Sequence, residues 1–343
     1  MIAPIPHRTT ERLTTSPQDI ARAAEILRNG GTVAFPTETV YGLGANALHA
    51  YAVERIFVAK DRPHWDPLIV HVSSRIMLDK VATVSAHAER LIKAFWPGPL
   101  TLLLPRTKNI SDAVTAGRPL VGVRMPAHPI AHALLEATGL PLAAPSANRF
   151  GRISPTTAAH VLQDLDGRID AVLDGGATTV GVESTVLDPN QSPMILYRPG
   201  AITAAMLEPI AGPVILYQPP QQSGTEPQSL PSPGVGIRHY APRAQLILVD
   251  SEADLNSQLT TTFATTSNRI GVMLPQGWAI ANASPEIFPW DSIEDPTSLA
   301  QTLFAGLRDL DARGVDLIFC PMPKPEGLGL AIRDRLKKAA KAK

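Results

Sequence analysis

Apolar and polar positions along the chain alternate between two periods. Ser16, Pro17 and Asp19 form a helix start, with an N-cap serine, a first-turn proline and an acid. Ile20, Ala23, Ala24 and Leu27 supply its buried stripe, and Gly30 stops it. Further helices are expected from about residue 50, with Val53, Ile56 and Phe57 on one side, and over 85–96, 129–138 and 156–165. Between them, short β-branched or apolar runs at 32–35, 68–72, 100–104, 120–125, 142–144 and 171–173 read as buried strands. The runs 182–187 and 194–197 read as a late strand pair. This is a mixed α/β pattern with some antiparallel pairing.

From about Gly212 to Ala244 the periodicity lapses. The stretch 218–227 is polar and proline-rich, so it reads as a linker. It leads into Pro233-Gly234-Val235-Gly236-Ile237-Arg238-His239-Tyr240-Ala241-Pro242, where basic and aromatic groups gather. Strands at 245–249, 270–274 and 315–319 then alternate with helices at 252–263, 296–310 and 328–338, which predicts a small parallel Rossmann-like α/β domain. No G-x-G-x-x-G follows its first strand, so dinucleotide binding is not supported. The resulting division is 1–211, a linker or lid at 212–244, and 245–343.

Composition narrows the function. A chain of 343 residues with a 44% apolar fraction folds and has room for two domains. Lys+Arg and Asp+Glu both number 31, so bulk charge predicts no affinity for nucleic acid or membrane. No run of about 18 apolar residues is present, and residues 1–7 do not read as a signal peptide. Cys320 is the only cysteine, which excludes an internal disulfide; it follows an apolar run, fits the core, and suits a reducing cytoplasm.

The candidate chemistry sits where elements end. After the strand at 32–35, Pro36 ends the ladder, and Thr37, Glu38, Thr39 and Tyr41 lead to Gly42 and Gly44, which let backbone approach something closely. Thr39, Lys60, Arg62, His71, Arg124, Ser146, Asn148, Ser154, Ser184 and Arg198 also fall at strand or helix ends, and parallel topology would gather many of them on one edge. Arg124 closes an apolar strand, so it needs an anionic partner, either a protein carboxylate or a ligand's. His128 and His132 have metal-pair spacing without the glutamate of an H-E-x-x-H motif. No nucleophile elbow or Walker loop is present. What remains is a cationic, hydroxyl-lined site suited to phosphates and carboxylates.

Eight blocks occur in order: Phe35-Pro36-Thr37-Glu38-Thr39-Val40-Tyr41-Gly42-Leu43-Gly44, Lys60-Asp61-Arg62-Pro63, Pro67-Leu68-Ile69-Val70-His71, Trp96-Pro97-Gly98-Pro99-Leu100-Thr101, Val123-Arg124-Met125-Pro126, Ala144-Pro145-Ser146-Ala147-Asn148, Gly181-Val182-Glu183-Ser184-Thr185-Val186 and Arg198-Pro199-Gly200. Together they resemble the YrdC-like threonylcarbamoyl-adenylate synthases. The His239-Tyr240-Ala241-Pro242 linker and the small last domain resemble the long form of that family. The resemblance implies a YrdC-like twisted mixed sheet with flanking helices. It also implies a reaction: L-threonine, bicarbonate and ATP give threonylcarbamoyl-AMP and pyrophosphate. A tRNA threonylcarbamoyl-transferase complex then uses that product.

Carried over by motif, Thr39, His71, Arg124, the backbone at Ala144 and Ser184 would hold threonine. Lys60, Arg62, Asp66, Ser146, Asn148, Ser154, Arg198 and Tyr240 would hold ATP, with Lys60, Arg62 and Arg124 stabilising charge during transfer. Mg2+ is expected with the phosphates, its ligands unnamed. Asp66 stands where asparagine is usual and Leu120 where a small polar residue is common; an acid there repels a triphosphate unless Mg2+ intervenes. Two other readings compete. One is a double-stranded-RNA or tRNA-binding module built on Lys60, Arg62, Arg149, Arg152 and Arg198. The other is a carbamoyl-transfer domain of the kind found in larger maturation enzymes.

Overall fold

The computed structural model describes residues 9–218, 229–232, 239–281 and 283–341. Much of the 212–244 stretch, Arg238 included, lies outside the described residues, as do residues 1–7. The chain forms two compact units. One comprises Met1–Phe150, Pro155–Thr179 and Glu183–Gly236; the other comprises Gly151–Ser154, Val180–Val182 and Ile237–Lys343.

The first unit is built on strands β1 (Glu11–Leu13), β2 (Val33–Phe35), β3 (Gly42–Asn46), β4 (Ile69–His71), β5 (Leu100–Pro105) and β6 (Leu120–Arg124). It continues with β7 (Leu142–Ala143), β8 (Ala171–Leu173), β9 (Thr185–Asp188), β10 (Met194–Arg198) and β11 (Val214–Leu216). They form one 11-stranded sheet in the order β1-β8-β2-β3-β7-β4-β6-β5-β9-β10-β11. Pairing is mixed: β4 runs parallel to β6, for example, while β7 runs antiparallel to both β3 and β4. The helices are α1 (Pro17–Arg28), α2 (Ala50–Lys60), α3 (Arg75–Val81), α4 (Ala86–Phe95), α5 (Asp112–Thr115), α6 (Pro129–Thr138), α7 (Ala158–Leu165) and α8 (Ala204–Ala211). Ser16 caps α1 by accepting from the Asp19 N–H, as its sequence predicts.

Two differences from the sequence reading concern strands. Residues 42–46 form β3 rather than a loop, paired antiparallel with β2. Gly44 faces Phe35, and a Cβ there would stand 2.8 Å from the ring, so what this backbone approaches is the protein's own aromatic side chain. Val214–Leu216, inside the stretch read as linker, pairs with β10 as a sheet edge.

The alternation of side chains along each strand feeds two cores. Ala34, Val70, Val121, Val123 and Ala143 join the larger cluster. Val33, Phe35, Leu142, Ala171 and Leu173 join a second one with Ala23 and Leu27 of α1 and Leu134 and Leu135 of α6. That second cluster takes no residue from β4, β5 or β6. On those strands the positions alternating with the first core are Ile69, His71, Thr101, Leu103, Pro105, Leu120, Gly122 and Arg124. Where the second apolar layer stops, the sheet therefore carries His71, Thr101 and Arg124 among apolar neighbours such as Ile69 and Leu103.

The second unit carries β12 (Gln245–Val249), α9 (Glu252–Thr265), β13 (Ile270–Pro275), β14 (Glu286–Trp290), α10 (Pro296–Ala312), β15 (Leu317–Pro321) and α11 (Gly327–Ala339). Its sheet has the order β12-β15-β13-β14 and is parallel throughout. The parallel α/β expectation is met, with β14 added. Cys320 is fully buried in β15.

Candidate active site

Arg124 is the centre of the polar group on that face. It ends β6 in register with His71, which ends β4. Burial leaves Arg124 3% exposed, so its guanidinium must find partners inside the protein. Nη1 donates to Thr39 Oγ1 at 2.8 Å and Nε donates to the Gly98 carbonyl at 3.2 Å. Nη2 stands 2.6 Å from Glu38 Oε1. Thr39 is held in turn by Thr37, whose hydroxyl lies 2.8 Å away and also donates to the Val40 carbonyl. Of the two partners the sequence left open for Arg124, the structure supplies a protein carboxylate. Burial raises the Glu38 pKa, but the charge and hydrogen bonding of Arg124 and the backbone N–H groups of Glu38 and Ala127 together outweigh it, and the carboxyl lies below its ordinary range. His71, fully enclosed against Phe35 and beside the Arg124 charge, is pushed down to about 3 and is neutral.

Ser184 extends the network. Its hydroxyl meets Thr101 at 2.8 Å and accepts from Arg198 Nη2 at 3.0 Å, while its carbonyl accepts from Arg198 Nε at 2.9 Å. The segment 97–99 ties this part to Arg124: Gly98 accepts from Arg124, and Pro99 accepts from the Thr185 N–H.

Lys60 is 1% exposed at the end of α2. Its ammonium donates to the Ser146 carbonyl at 2.5 Å and to the Asn148 carbonyl. Burial, reinforced by the neighbouring Arg62, holds Lys60 well below the ordinary lysine range. Arg62 clamps the following loop: Nε donates to the Asp66 carbonyl at 3.1 Å, Nη2 donates to the Pro67 carbonyl at 2.7 Å, and Nη2 lies 2.9 Å from Asp66 Oδ2. Burial raises the Asp66 carboxyl, opposed by the charges of Arg62, Lys60 and Arg198. Ser146 bridges to Gly42, and the Ala147 N–H donates to the Tyr41 carbonyl, which joins this loop to the one bearing Thr39. Ala144 follows β7, its N–H bonded to the Ile69 carbonyl.

The expectation that parallel topology collects these groups on one edge is corrected by the register. Because β7 is antiparallel to β4, Ala144, Ser146 and Asn148 leave the sheet where β4 begins, whereas His71 and Arg124 lie where β4 and β6 end. The strands are short enough that loops link the two ends.

Thus Thr39, His71, Arg124, Ser184 and Arg198, and likewise Lys60, Arg62, Asp66, Ser146 and Asn148, are buried or half-buried in the first unit. Ser154 and Tyr240 belong to the second. There Ser154 and Ile153 offer carbonyls to Arg308. Tyr240, with φ 64° and 1% exposure, stacks on Phe304 under the Arg335 guanidinium. Leu120 is a half-buried strand residue paired with Pro105. The sequence reading gave Glu38 and Thr101 no role. The signal for Glu38 was an acid in a run otherwise apolar or hydroxylic. For Thr101 it was a hydroxyl inside a leucine strand. Among the described residues no group of three or more His, Cys, Asp or Glu converges to hold a metal, and no helix is long and apolar enough to cross a membrane.

Residues 25–200 match the Sua5/YciO/YrdC family model, described as telomere recombination, and residues 202–341 match the threonylcarbamoyl-AMP synthase C-terminal domain. The chain belongs to the Sua5/YciO/YrdC family, in its two-domain form. It is 43% identical to the threonylcarbamoyl-AMP synthase of Pyrococcus abyssi, over 93% of each chain. It is 42% identical to that of Bacillus subtilis, over 96% of this chain and 95% of the other. Among solved structures it is similar to P. abyssi Sua5 complexed with L-threonine, with a TM-score of 0.89 at 40% identity, covering 97% of this chain and 98% of that one.

Proposed function

We propose that the chain is an L-threonylcarbamoyladenylate synthase, converting L-threonine, bicarbonate and ATP to threonylcarbamoyl-AMP, pyrophosphate and water. The observation that carries the reading is the end-to-end likeness to threonylcarbamoyl-AMP synthases, together with a buried arginine–hydroxyl network that suits their chemistry. The threonine amine takes up carbon dioxide as a carbamate. A carbamate oxygen then attacks the α-phosphate of ATP and pyrophosphate leaves. Such an adenylyl transfer depends on positioning and charge neutralisation more than on a side-chain nucleophile. Arg124, fixed by Thr39 and Gly98, is placed to take a carboxylate, with His71, the Ala144 backbone and Ser184 around it. Lys60, Arg62, Arg198, Ser146 and Asn148 form the cationic and polar group of the first unit assigned to ATP; Ser154 and Tyr240, assigned to ATP by the resemblance alone, belong to the second unit. Lys60 and Arg62 act in it chiefly by fixing the loops at 62–67 and 146–148, since their donors are committed to backbone carbonyls.

Mg2+ would come with the triphosphate. Asp66 is a buried carboxylate beside the cationic group, and its Oδ1 has no hydrogen-bond partner among the described residues, so it is a protein oxygen that fits such an ion. The product is destined for tRNA through a transferase complex, which places the enzyme in the cytoplasm. Direct binding to an RNA backbone is disfavoured because Lys60, Arg62 and Arg198, three of the five cations on which that reading stood, are buried, leaving Arg149 and Arg152 exposed.

Pyrophosphate release by the full chain, coupled to pyrophosphatase, tests the reading. Release is expected only when L-threonine, bicarbonate and ATP are all present. Release that ignores threonine would sink it.

A further inference from the structure

Three buried side chains of the first unit leave complementary atoms unmet in one place. Glu38 is 8% exposed, His71 4% and Arg124 3%. Among the described residues, neither carboxylate oxygen of Glu38, nor Nη2 of Arg124, nor Nδ1 of His71 has a partner in hydrogen-bonding geometry. Glu38 Oε1 and Arg124 Nη2 are nevertheless only 2.6 Å apart. Arg124 first, and then the backbone N–H groups of Glu38 and Ala127, lie near enough to favour the ionised carboxylate without reaching that geometry. Protein interiors rarely leave such atoms unanswered.

The unmet set contains both signs: a guanidinium donor on one side, carboxylate acceptors on the other. A single ligand answers both within this span if it is a zwitterion, with a carboxylate for Arg124 and an ammonium for Glu38. We infer that Glu38 is a substrate-binding residue that takes the α-ammonium of the amino-acid substrate while Arg124 takes its carboxylate. This rests on the synthase reading above and gives the amino group a partner that the reading lacks.

The geometry favours this role over that of a plain counter-ion. A carboxylate serving only to neutralise an arginine meets its fork with aligned hydrogen bonds. Here the contact is between one oxygen and one nitrogen, Oε1 and Nη2, and Oε2 is left without a partner among the described residues. Arg124 is held instead by Thr39 and Gly98 through its other nitrogens, which leaves Nη2 available for exchange. Glu38 stays ionised beside it, and neutral His71 adds no positive charge to repel an ammonium. An acid without an amine would set its carboxylate against that of Glu38 with only the shared Arg124 to offset two negative charges, so the site selects amino acids over hydroxy acids.

Calorimetry on the full chain tests this with L-threonine and with 2,3-dihydroxybutanoate, which replaces the amine by a hydroxyl. The unaltered protein should bind threonine at least tenfold more tightly than the hydroxy acid. In Glu38→Gln, threonine should weaken at least tenfold, while the hydroxy acid binds as well as before or better. Equal affinity of the unaltered protein for the two ligands overturns the inference without any variant. So does a Glu38→Gln protein that binds threonine as before, or that weakens for both ligands alike, since the latter means Glu38 acts only by holding Arg124. Failure of the unaltered protein to bind threonine at all removes the synthase reading itself, and this role with it.

Discussion

Replacing Arg124 by Met keeps much of its volume and removes its charge. The side chain is 3% exposed and faces a carboxylate 2.6 Å away. Deleting one member of such a pair leaves the other buried and uncompensated, a loss of about 3–5 kcal/mol. That figure contains the bonds to Thr39 and Gly98, so they are not added to it. Glu38→Gln in the same protein removes the stranded charge and should restore about 2–3 kcal/mol, near the upper end of couplings measured for touching residues. Because the chain has two units, a single global unfolding energy is a poor readout. Hydrogen–deuterium exchange of peptides spanning β4 and β6 reads the affected strands directly. A loss of about 3 kcal/mol speeds exchange there by roughly a hundredfold. The sign of the pH dependence gives a second check. In the unaltered protein the Glu38 pKa is depressed, so its contribution is present above the unfolded carboxyl value of about 4.3 and is lost as pH falls through the folded value. Without Arg124, burial dominates, the pKa rises, and β4 and β6 should become more protected as pH falls. Unchanged exchange in Arg124→Met, a double variant no better than the single one, or an unreversed pH slope would refute the reasoning.

Two further outcomes follow from buried charge. His71, with its folded value pushed down to about 3, should show no imidazole titration by NMR between pH 8 and 5. Its contribution to stability is present above about 6.5 and lost as pH falls from there toward 3, because only the unfolded imidazole takes up a proton over that range; His71→Gln should flatten that slope. Asp66→Asn removes an acid from the group formed by Lys60, Arg62 and Arg198, so ATP should bind several-fold more tightly in calorimetry with Mg2+ withheld; equal or weaker binding would show that Arg62 needs its carboxylate.

Much of this was legible in the chain. Period-two alternation in Val121-Gly122-Val123-Arg124 and in Val70-His71 already places arginine and histidine on one face, and the register confirms it. Helix starts such as Ser16 were readable because capping is local. Strand β3 was not, because Gly42-Leu43-Gly44-Ala45-Asn46 has poor strand propensity, and its place depends on Phe35 and on pairing with β7, nearly 100 positions later in sequence. The clamp of Arg62 on the 62–67 loop was hidden for a related reason. A basic residue after a helix looks like dipole complementation until the backbone turns to meet it.

The adenylyl transfer needs a carbamate oxygen within reach of the α-phosphate, so the groups assigned to the two substrates must be mechanically joined. Ser184 supplies that joint. Through Thr101 its hydroxyl belongs to the same sheet face as Arg124, and through Arg198 both its hydroxyl and its carbonyl belong to the cationic group around Asp66. Thr185, its neighbour, is bound to Pro99, one residue from the carbonyl that fixes Arg124. A shift at Arg124 therefore reaches Arg198 through a few hydrogen bonds in the buried interior, where their low-dielectric setting keeps them strong. This explains a serine, rather than a further cation, between two charged groups: a hydroxyl accepts from the arginine and still faces Thr101, and it adds no charge that either substrate would have to overcome.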